Sequence, residues 1–141
     1  MKKNKVNFPK RKKVGNRDWG QEILCALIPK KLSLKILKIK KGKKGGLQYH
    51  RRKDECGLII SGKLLVRYEN SKGKLNKKVL KKGDAFHFPP GSVHQEEAIT
   101  NCQMIEASTP HFNDRVRVEK KFGINFSKGL KSTKINEIIF K

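Results

Sequence analysis

Cysteine is scarce in this chain, with three among 141 residues. Cys25, Cys56 and Cys102 are odd in number, widely separated and outside any Cys-x-x-Cys spacing. A disulfide framework needs paired cysteines, and a cysteine zinc site needs thiols at short, regular spacing. The sequence therefore argues against both classes and predicts three reduced thiols.

Long apolar runs are also missing. No stretch approaches the roughly 18 apolar residues that a membrane-spanning helix requires. The basic segment at residues 1–13 has no apolar region after it, so it lacks the organisation of a signal peptide. We therefore expect a cytoplasmic location and no membrane association.

Acidic residues are few: 12 Asp and Glu stand against 35 Lys and Arg, for a formal net charge of +23. A positive field attracts nucleic acids and small anions alike. However, 28 of the basic residues are lysine, whereas arginine dominates specific nucleic-acid recognition. One Trp and two Tyr leave few rings to stack on bases. The composition favours a solvated lysine-rich surface and a small anionic ligand over nucleic acid.

Helical periodicity is absent before residue 108, while short strand-like segments are frequent. Residues 32–39 and 63–69 alternate in part between apolar and polar, which is typical of half-buried strands. Turns at intervals of about 8–12 residues indicate an all-β sandwich or barrel. We predict one β-barrel domain at residues 18–126, a flexible basic arm at residues 1–17 and a short tail at residues 127–141. The apolar end of the tail is expected to pack on the barrel or on a second subunit.

Two stretches, residues 45–62 and 83–94, place metal-ligand side chains beside turns. Residues two apart in a strand share a face, so Gln48, His50 and Arg52 are expected to point the same way. A small irregularity further along returns Glu55 to that face, and His94 approaches from a second strand. These residue types suit a divalent ion such as Zn, Mn, Ni, Co or Fe. The predicted ligands are Gln48, His50, Glu55 and His94; the alternative is a metal-free lumen in which these groups are hydrogen-bonded.

The same stretches resemble the paired motifs of the cupin superfamily. The motif positions kept at the family spacing are His50, Glu55, Gly62, Gly83, Pro89, Gly91 and His94. Arg52 stands where the family has a second His, and Ala98 where it has an Asn. The resemblance implies a cupin double-stranded β-helix, or jelly-roll barrel, with a metal in the barrel and pairing into a homodimer.

A narrower resemblance, over residues 18–123, is to the cupin domain of type II mannose-6-phosphate isomerases. It is carried by Leu47-Gln48-x-His50, by the Pro-Gly-x-x-His turn, by Ile105-Glu106 and by Asp114-x-Val116-Arg117. Related zinc-dependent isomerases use Gln, His, Glu and His, so the resemblance implies that Gln48 replaces the missing imidazole. It also implies a sugar-phosphate isomerase-like activity.

Glu106 is the predicted catalytic residue, either as a general base or as a partner that orients a ligand. The predicted substrate-binding side chains are Arg52, His111 and Arg117. We expect the Arg52 guanidinium in the lumen, where it holds a phosphate or carboxylate or pairs with Glu106. Arg117 either recognises substrate phosphate or forms a surface ion pair. His111 is expected to line the cavity.

Two other function classes stay open. A non-catalytic cupin would bind a small anionic sugar or metabolite without turnover, and loss of Glu106 would leave that binding unchanged. A metal-dependent oxygenase would consume oxygen with iron, although the missing second His weighs against the usual iron ligand set. Fold alone does not decide among the three.

Overall fold

The computed structural model describes residues 3–126 and 128–141, and its regular structure is almost entirely β. The strands are β1 (Lys12–Arg17), β2 (Gly20–Ile28), β3 (Leu32–Ile39), β4 (Gln48–Tyr49), β5 (Glu55–Ser61), β6 (Lys63–Glu69), β7 (Leu75–Lys81), β8 (Ala85–Phe88), β9 (His94–Ala98), β10 (Cys102–Ser108), β11 (His111–Phe112), β12 (Val116–Arg117) and β13 (Ile139–Phe140). The helices of the described chain are two short 3₁₀ turns at Glu119–Phe122 and Ile135–Glu137. No helix in these residues is long and apolar enough to cross a membrane.

Two antiparallel sheets form the barrel. The larger sheet has the order β1-β2-β3-β10-β5-β8, and the smaller has the order β12-β4-β9-β6-β7. A separate two-stranded sheet pairs β11 with β13. The sequence prediction of an all-β jelly roll is confirmed.

One end of the barrel interior is an apolar core. Leu37 and Ile39 on β3 lie in register with Met104 and Cys102 on β10, and all four side chains are buried. The other buried members of this cluster are Ile59, Leu64, Val66, Leu80, Phe88 and Ala98. Full burial of one such aliphatic side chain stabilises a fold by about 1.5–3 kcal/mol.

The other end of the interior is polar, although the same strands line it. Alternation carries the inward face of β3 from Leu37 to Lys35, and that of β10 from Met104 to Glu106. Lys35 and Glu106 are direct partners in the antiparallel register, and both are buried. Charged groups in such a position need partners, so this end of the barrel is where a functional site is expected.

The N-terminal segment differs from the sequence expectation, and the C-terminal tail takes one of its two expected positions. Lys12–Arg17, predicted as part of a flexible arm, pairs as β1 with β2, because residues 12–13 and 16–17 complete the edge of the larger sheet. Residues 3–11 carry no regular structure. At the other end β13 pairs with β11, and the Phe140 ring stacks on His111 with centroids 4.5 Å apart. The tail therefore packs on its own barrel; the predicted boundary at residue 127 lies outside the described residues.

Candidate metal site and cavity

Two imidazoles and a carboxylate converge at the polar end of the barrel. His50 Nε2 lies 3.2 Å from Glu55 Oε1, and His94 Nε2 lies 3.3 Å from the same oxygen. All three side chains are buried, and one ligand atom from each falls within 4.8 Å of the others. The structure thus brings together three of the four predicted metal ligands.

The position of His50 is fixed by the segment around Asp114. The His50 Nδ1 faces the backbone carbonyl of Asp114 in a short hydrogen bond. The Asp114 carboxylate accepts backbone N–H bonds from Arg51 at 3.0 Å and from Arg52 and Lys53 at 2.8 Å each. The turn that follows His50 is therefore clamped by a single side chain.

His94 is held in a comparable way at the start of β9. Its Nδ1 faces the carbonyl oxygen of Ser92 at 3.0 Å, and its ring stacks on Phe88 with centroids 4.0 Å apart. The Gly91 N–H donates to the carbonyl of His50 at 2.8 Å, which ties the second motif to the first. Gly91 has φ 83°, a left-handed conformation that favours glycine.

These contacts fit a bound cation. A ring nitrogen that faces a carbonyl carries the hydrogen, so in the neutral rings both Nε2 atoms turn their lone pairs toward Glu55 Oε1. Two lone pairs aimed at one carboxylate oxygen repel unless a cation lies among them. Ligand atoms at about 2.1 Å from a shared metal lie roughly 3.0–3.4 Å apart, which matches the two separations from Glu55 Oε1. The cluster is consistent with a divalent metal site.

Gln48, the fourth predicted ligand, lies on β4 directly opposite His94 in the sheet register. It is half-buried and lines the same cavity as the three clustered side chains. Its amide is thus near the cluster, and its role as a ligand stays a prediction.

Lys53 is a member of the site that the sequence analysis missed. Its Nζ lies 2.8 Å from Glu55 Oε2 and 3.0 Å from Glu106 Oε1. Burial alone would lower the pKa of Lys53, but Glu106 and Glu55 outweigh that effect and raise it. Burial would likewise raise the pKa of Glu55, yet the Lys53 ammonium holds it well below its usual range. The ammonium is therefore a fixed charge between two carboxylates.

Two further carboxyl groups, Glu106 and Glu96, line this end of the cavity. Burial and the nearby Glu55 charge raise the pKa of Glu106 to about 7, against the opposing effect of Lys53. The same two causes raise the pKa of Glu96 to about 8. Glu96 follows His94 by two residues on β9 and so shares its face, a signal that was available in the sequence. A divalent cation bound nearby would favour the ionised form of both carboxyl groups.

Arg52 is not in the lumen, contrary to the sequence prediction. Its side chain is exposed and does not line the cavity. The turn clamped by Asp114 changes the alternation before Lys53, so Lys53 and Glu55 share the inward face and Arg52 is turned outward. The expected pairing of a cation with Glu106 exists, but Lys53 provides it.

Arg117 and His111 both line the cavity. The Arg117 guanidinium forms an ion pair with Glu119, with Nε 3.1 Å from each carboxylate oxygen; an ion pair was one of the two expectations for Arg117, but it is buried and not at the surface. His111 is half-buried, and its Nδ1 lies 2.8 Å from the Thr109 hydroxyl. Burial lowers the pKa of His111.

The cavity that contains these groups has a volume of about 630 Å³. Its inner end holds the His50–Glu55–His94 cluster with Lys53 and Glu106. Its mouth is lined by side chains from β1, the start of β2 and the segment after β11. A volume of this size suits a small organic ligand.

Comparison with known sequences gives one family match and one curated relative. The cupin domain model matches residues 35–108. A probable germin-like protein, subfamily 2 member 5, of Arabidopsis thaliana is 40% identical over 52 residues, which cover 37% of this chain and 24% of that protein. The aligned segment thus spans about a quarter of the curated relative.

Solved structures with the same fold include an oxalate oxidase and KdgF from Halomonas sp. The oxalate oxidase is 26% identical with a TM-score of 0.50, over 55% of this chain and 41% of that one. KdgF is 24% identical with a TM-score of 0.59, over 69% of this chain and 85% of that one. At this identity the likeness to KdgF concerns the fold alone.

Proposed function

This chain belongs to the cupin family, and we propose that it is a metal-dependent enzyme acting on a small hydroxylated anion. The observation that carries the proposal is the convergence of His50 Nε2 and His94 Nε2 on one oxygen of Glu55. Gln48 is the proposed fourth ligand. The reaction class that we favour is a sugar-phosphate isomerase-like transfer of a proton between adjacent carbons.

A divalent ion bound by these residues supplies Lewis acidity toward a carbonyl or hydroxyl oxygen of the ligand. The remaining chemistry belongs to side chains of the cavity. Glu106 is the proposed acid–base group, because it faces the lumen from β10 and Lys53 holds it in place at 3.0 Å. A carboxyl group whose pKa lies near 7 exchanges protons efficiently at neutral pH.

In this proposal the Glu106 carboxylate accepts a proton from the carbon beside the ligand carbonyl, which leaves an enediolate. The same group returns that proton to the former carbonyl carbon while the proton of the adjacent hydroxyl passes to the other oxygen, so the carboxylate is regenerated and no other reactant is consumed. The Lys53 ammonium keeps Glu106 oriented and favours its ionised form before the transfer.

A second candidate is metal-dependent oxidation of a small carboxylate. It is favoured by the 26% identity with an oxalate oxidase and by the 40% identity with a germin-like protein over 52 residues. Oxygen consumption separates the two candidates, because isomerisation uses no oxygen.

The test begins with elemental analysis of protein purified without a metal-chelating column. We expect near-stoichiometric metal in the parent, loss in His50→Ala, a weaker effect in Gln48→Ala and no effect in His87→Ala, whose imidazole is exposed and pairs with Asp54. An absence of metal after incubation with zinc, manganese, nickel, cobalt or ferrous iron would overturn the proposal.

Activity is then measured on aldose and ketose phosphates. Glu106→Gln is expected to abolish turnover and to keep the metal. Binding that saturates without turnover, and that Glu106→Gln leaves unchanged, would contradict the isomerase proposal and identify a non-catalytic binding protein.

A further inference from the structure

The cavity wall carries two neighbouring charged groups, one around Lys53 and one around Glu22. At the inner end, the Lys53 ammonium contacts the carboxylates of Glu55 and Glu106, and Glu96 lines the same cavity. At the mouth, the single carboxylate of Glu22 pairs with two cations. The first is Arg17, whose Nε lies 3.0 Å from Glu22 Oε2. Because one carboxylate faces two cations, the net charge of this group is positive.

Lys35 is the second cation on Glu22. Its Nζ lies 2.7 Å from Glu22 Oε1 and 4.8 Å from the centre of the Phe112 ring. Lys35 is buried, so its ammonium is held by these contacts rather than spread through solvent. The positive charge at the mouth is thus positioned by the fold.

Arg115 adds a third cation to this group. It is half-buried and lines the cavity, and its guanidinium donates to the backbone carbonyl of Lys131 at 3.3 Å. Among the described residues Arg115 has no carboxylate within ion-pair distance. Burial, followed by the like charge of Arg17, lowers the pKa of Arg115 against the opposing charge of Glu22. A guanidinium in this setting is stabilised by an anion that enters the cavity.

We propose that Arg115 and Arg17, supported by Lys35, form an anion subsite at the cavity mouth, and that it recognises the terminal phosphate or carboxylate of a polyhydroxylated ligand. The ligand would lie with its anionic group at the mouth and its hydroxyl groups toward the carboxyl groups of the inner end. Carboxylate acceptors suit hydroxyl donors, and the planar guanidinium suits two oxygens of a phosphate or carboxylate. The proposal rests on the proposed function for the placement of the reacting end, whereas anion binding at the mouth needs no metal.

The first experiment titrates inorganic phosphate into the full chain by calorimetry at fixed ionic strength. Arg115→Gln is expected to weaken binding about tenfold or more, the loss that follows from removing hydrogen bonds to a charged group. Lys77→Gln, which removes an exposed cation on β7, is the matched control and should change the affinity less than twofold. Equal weakening in both variants, or none in Arg115→Gln, would overturn the subsite.

Arg115→Lys and a comparison of ligands complete the test. Arg115→Lys keeps the charge but loses the planar guanidinium that can donate to two oxygens. Its affinity for phosphate should therefore lie between those of the parent and Arg115→Gln. An unchanged melting temperature is the check on folding. Glucose, glucuronate and glucose 6-phosphate share one ring and differ at carbon 6. If glucuronate binds more tightly than glucose and Arg115→Gln removes the difference, the subsite recognises a carboxylate. The same result with glucose 6-phosphate identifies a phosphate. A metal-free parent that still binds phosphate through Arg115 would contradict the proposed function and leave the subsite standing.

Discussion

Lys53 Nζ lies 2.8 Å from Oε2 of Glu55, the carboxylate oxygen that faces away from the two imidazoles. The two oxygens of Glu55 therefore have different partners: Oε1 faces His50 and His94, and Oε2 accepts from the ammonium. This division leaves one oxygen for a metal ion. It also sets a permanent positive charge beside the proposed metal position.

Replacement of Lys53 by Met should separate the effect of the ammonium on stability from its effect on metal affinity. Without metal, we expect a loss of about 3–5 kcal/mol in the free energy of unfolding, because the buried carboxylates of Glu55 and Glu106 lose their cation. Affinity for a divalent ion should rise by about tenfold or more, because the like charge beside the metal is gone. Urea denaturation and zinc calorimetry measure the two quantities.

The control for this variant is Lys121→Met, which removes a surface ammonium 3.8 Å from Glu69. An exposed pair of this kind contributes little, so neither stability nor zinc affinity should change appreciably. Weaker zinc binding in Lys53→Met would show that the ammonium supports the metal site instead of opposing it.

Asp114→Asn tests the clamp on the turn after His50. The amide keeps the shape of the side chain but replaces one acceptor oxygen by a donor that faces a backbone N–H. We expect the free energy of unfolding at pH 7 to fall by about 1–3 kcal/mol, measured in urea. Asp84 accepts a single backbone N–H, from Lys81 at 3.0 Å, so Asp84→Asn should lose less stability.

The pH dependence of this effect has a definite sign. Burial alone would raise the pKa of Asp114 above its ordinary value of 3.8, but the three N–H donors hold it lower in the folded chain. The stability that they add is fully present above pH 3.8 and is lost as the pH falls through the lower folded-state pKa. The difference in the free energy of unfolding between the parent and Asp114→Asn should therefore become smaller in acid. A constant difference from pH 7 to pH 2.5 would contradict this account.

Strand alternation could predict the fold but not the polarity inside it. In β3 the alternation places Lys35 on the same face as Leu37, yet it cannot say that a lysine on that face would be buried. That outcome depends on Glu22, which lies on β2 and meets Lys35 only after the sheet has formed. The contact pairs residues that no local pattern relates.

The site shows the same limit at closer range. His50 and Glu55 differ by an odd number of residues, so an irregularity between them was predictable, but its position was not. Asp114, more than 60 residues away, sets that position through three backbone N–H bonds and turns Lys53 inward. Local spacing therefore predicts the candidate ligands, whereas the inward position of Lys53 depends on a long-range contact with Asp114.

Gly46→Ala tests the packing of the cavity wall against Arg117. A Cβ added at Gly46 would lie 2.4 Å from Arg117 Nε, a distance that forces the guanidinium away from its place. Arg117 is paired with the fully buried Glu119, so its displacement strains a buried ion pair. We expect a loss of about 1–3 kcal/mol in the free energy of unfolding, measured in urea.

The neighbouring glycine provides the control for this variant. A Cβ at Gly45 would meet nothing within 4 Å, and neither glycine has a positive φ. Gly45→Ala keeps the backbone carbonyl that accepts from Gln95 Nε2 at 2.9 Å. It should therefore leave stability unchanged or raise it slightly, since alanine lowers the entropy of the unfolded chain. If both variants lost stability equally, the cause would lie in the loop backbone rather than in the contact with Arg117.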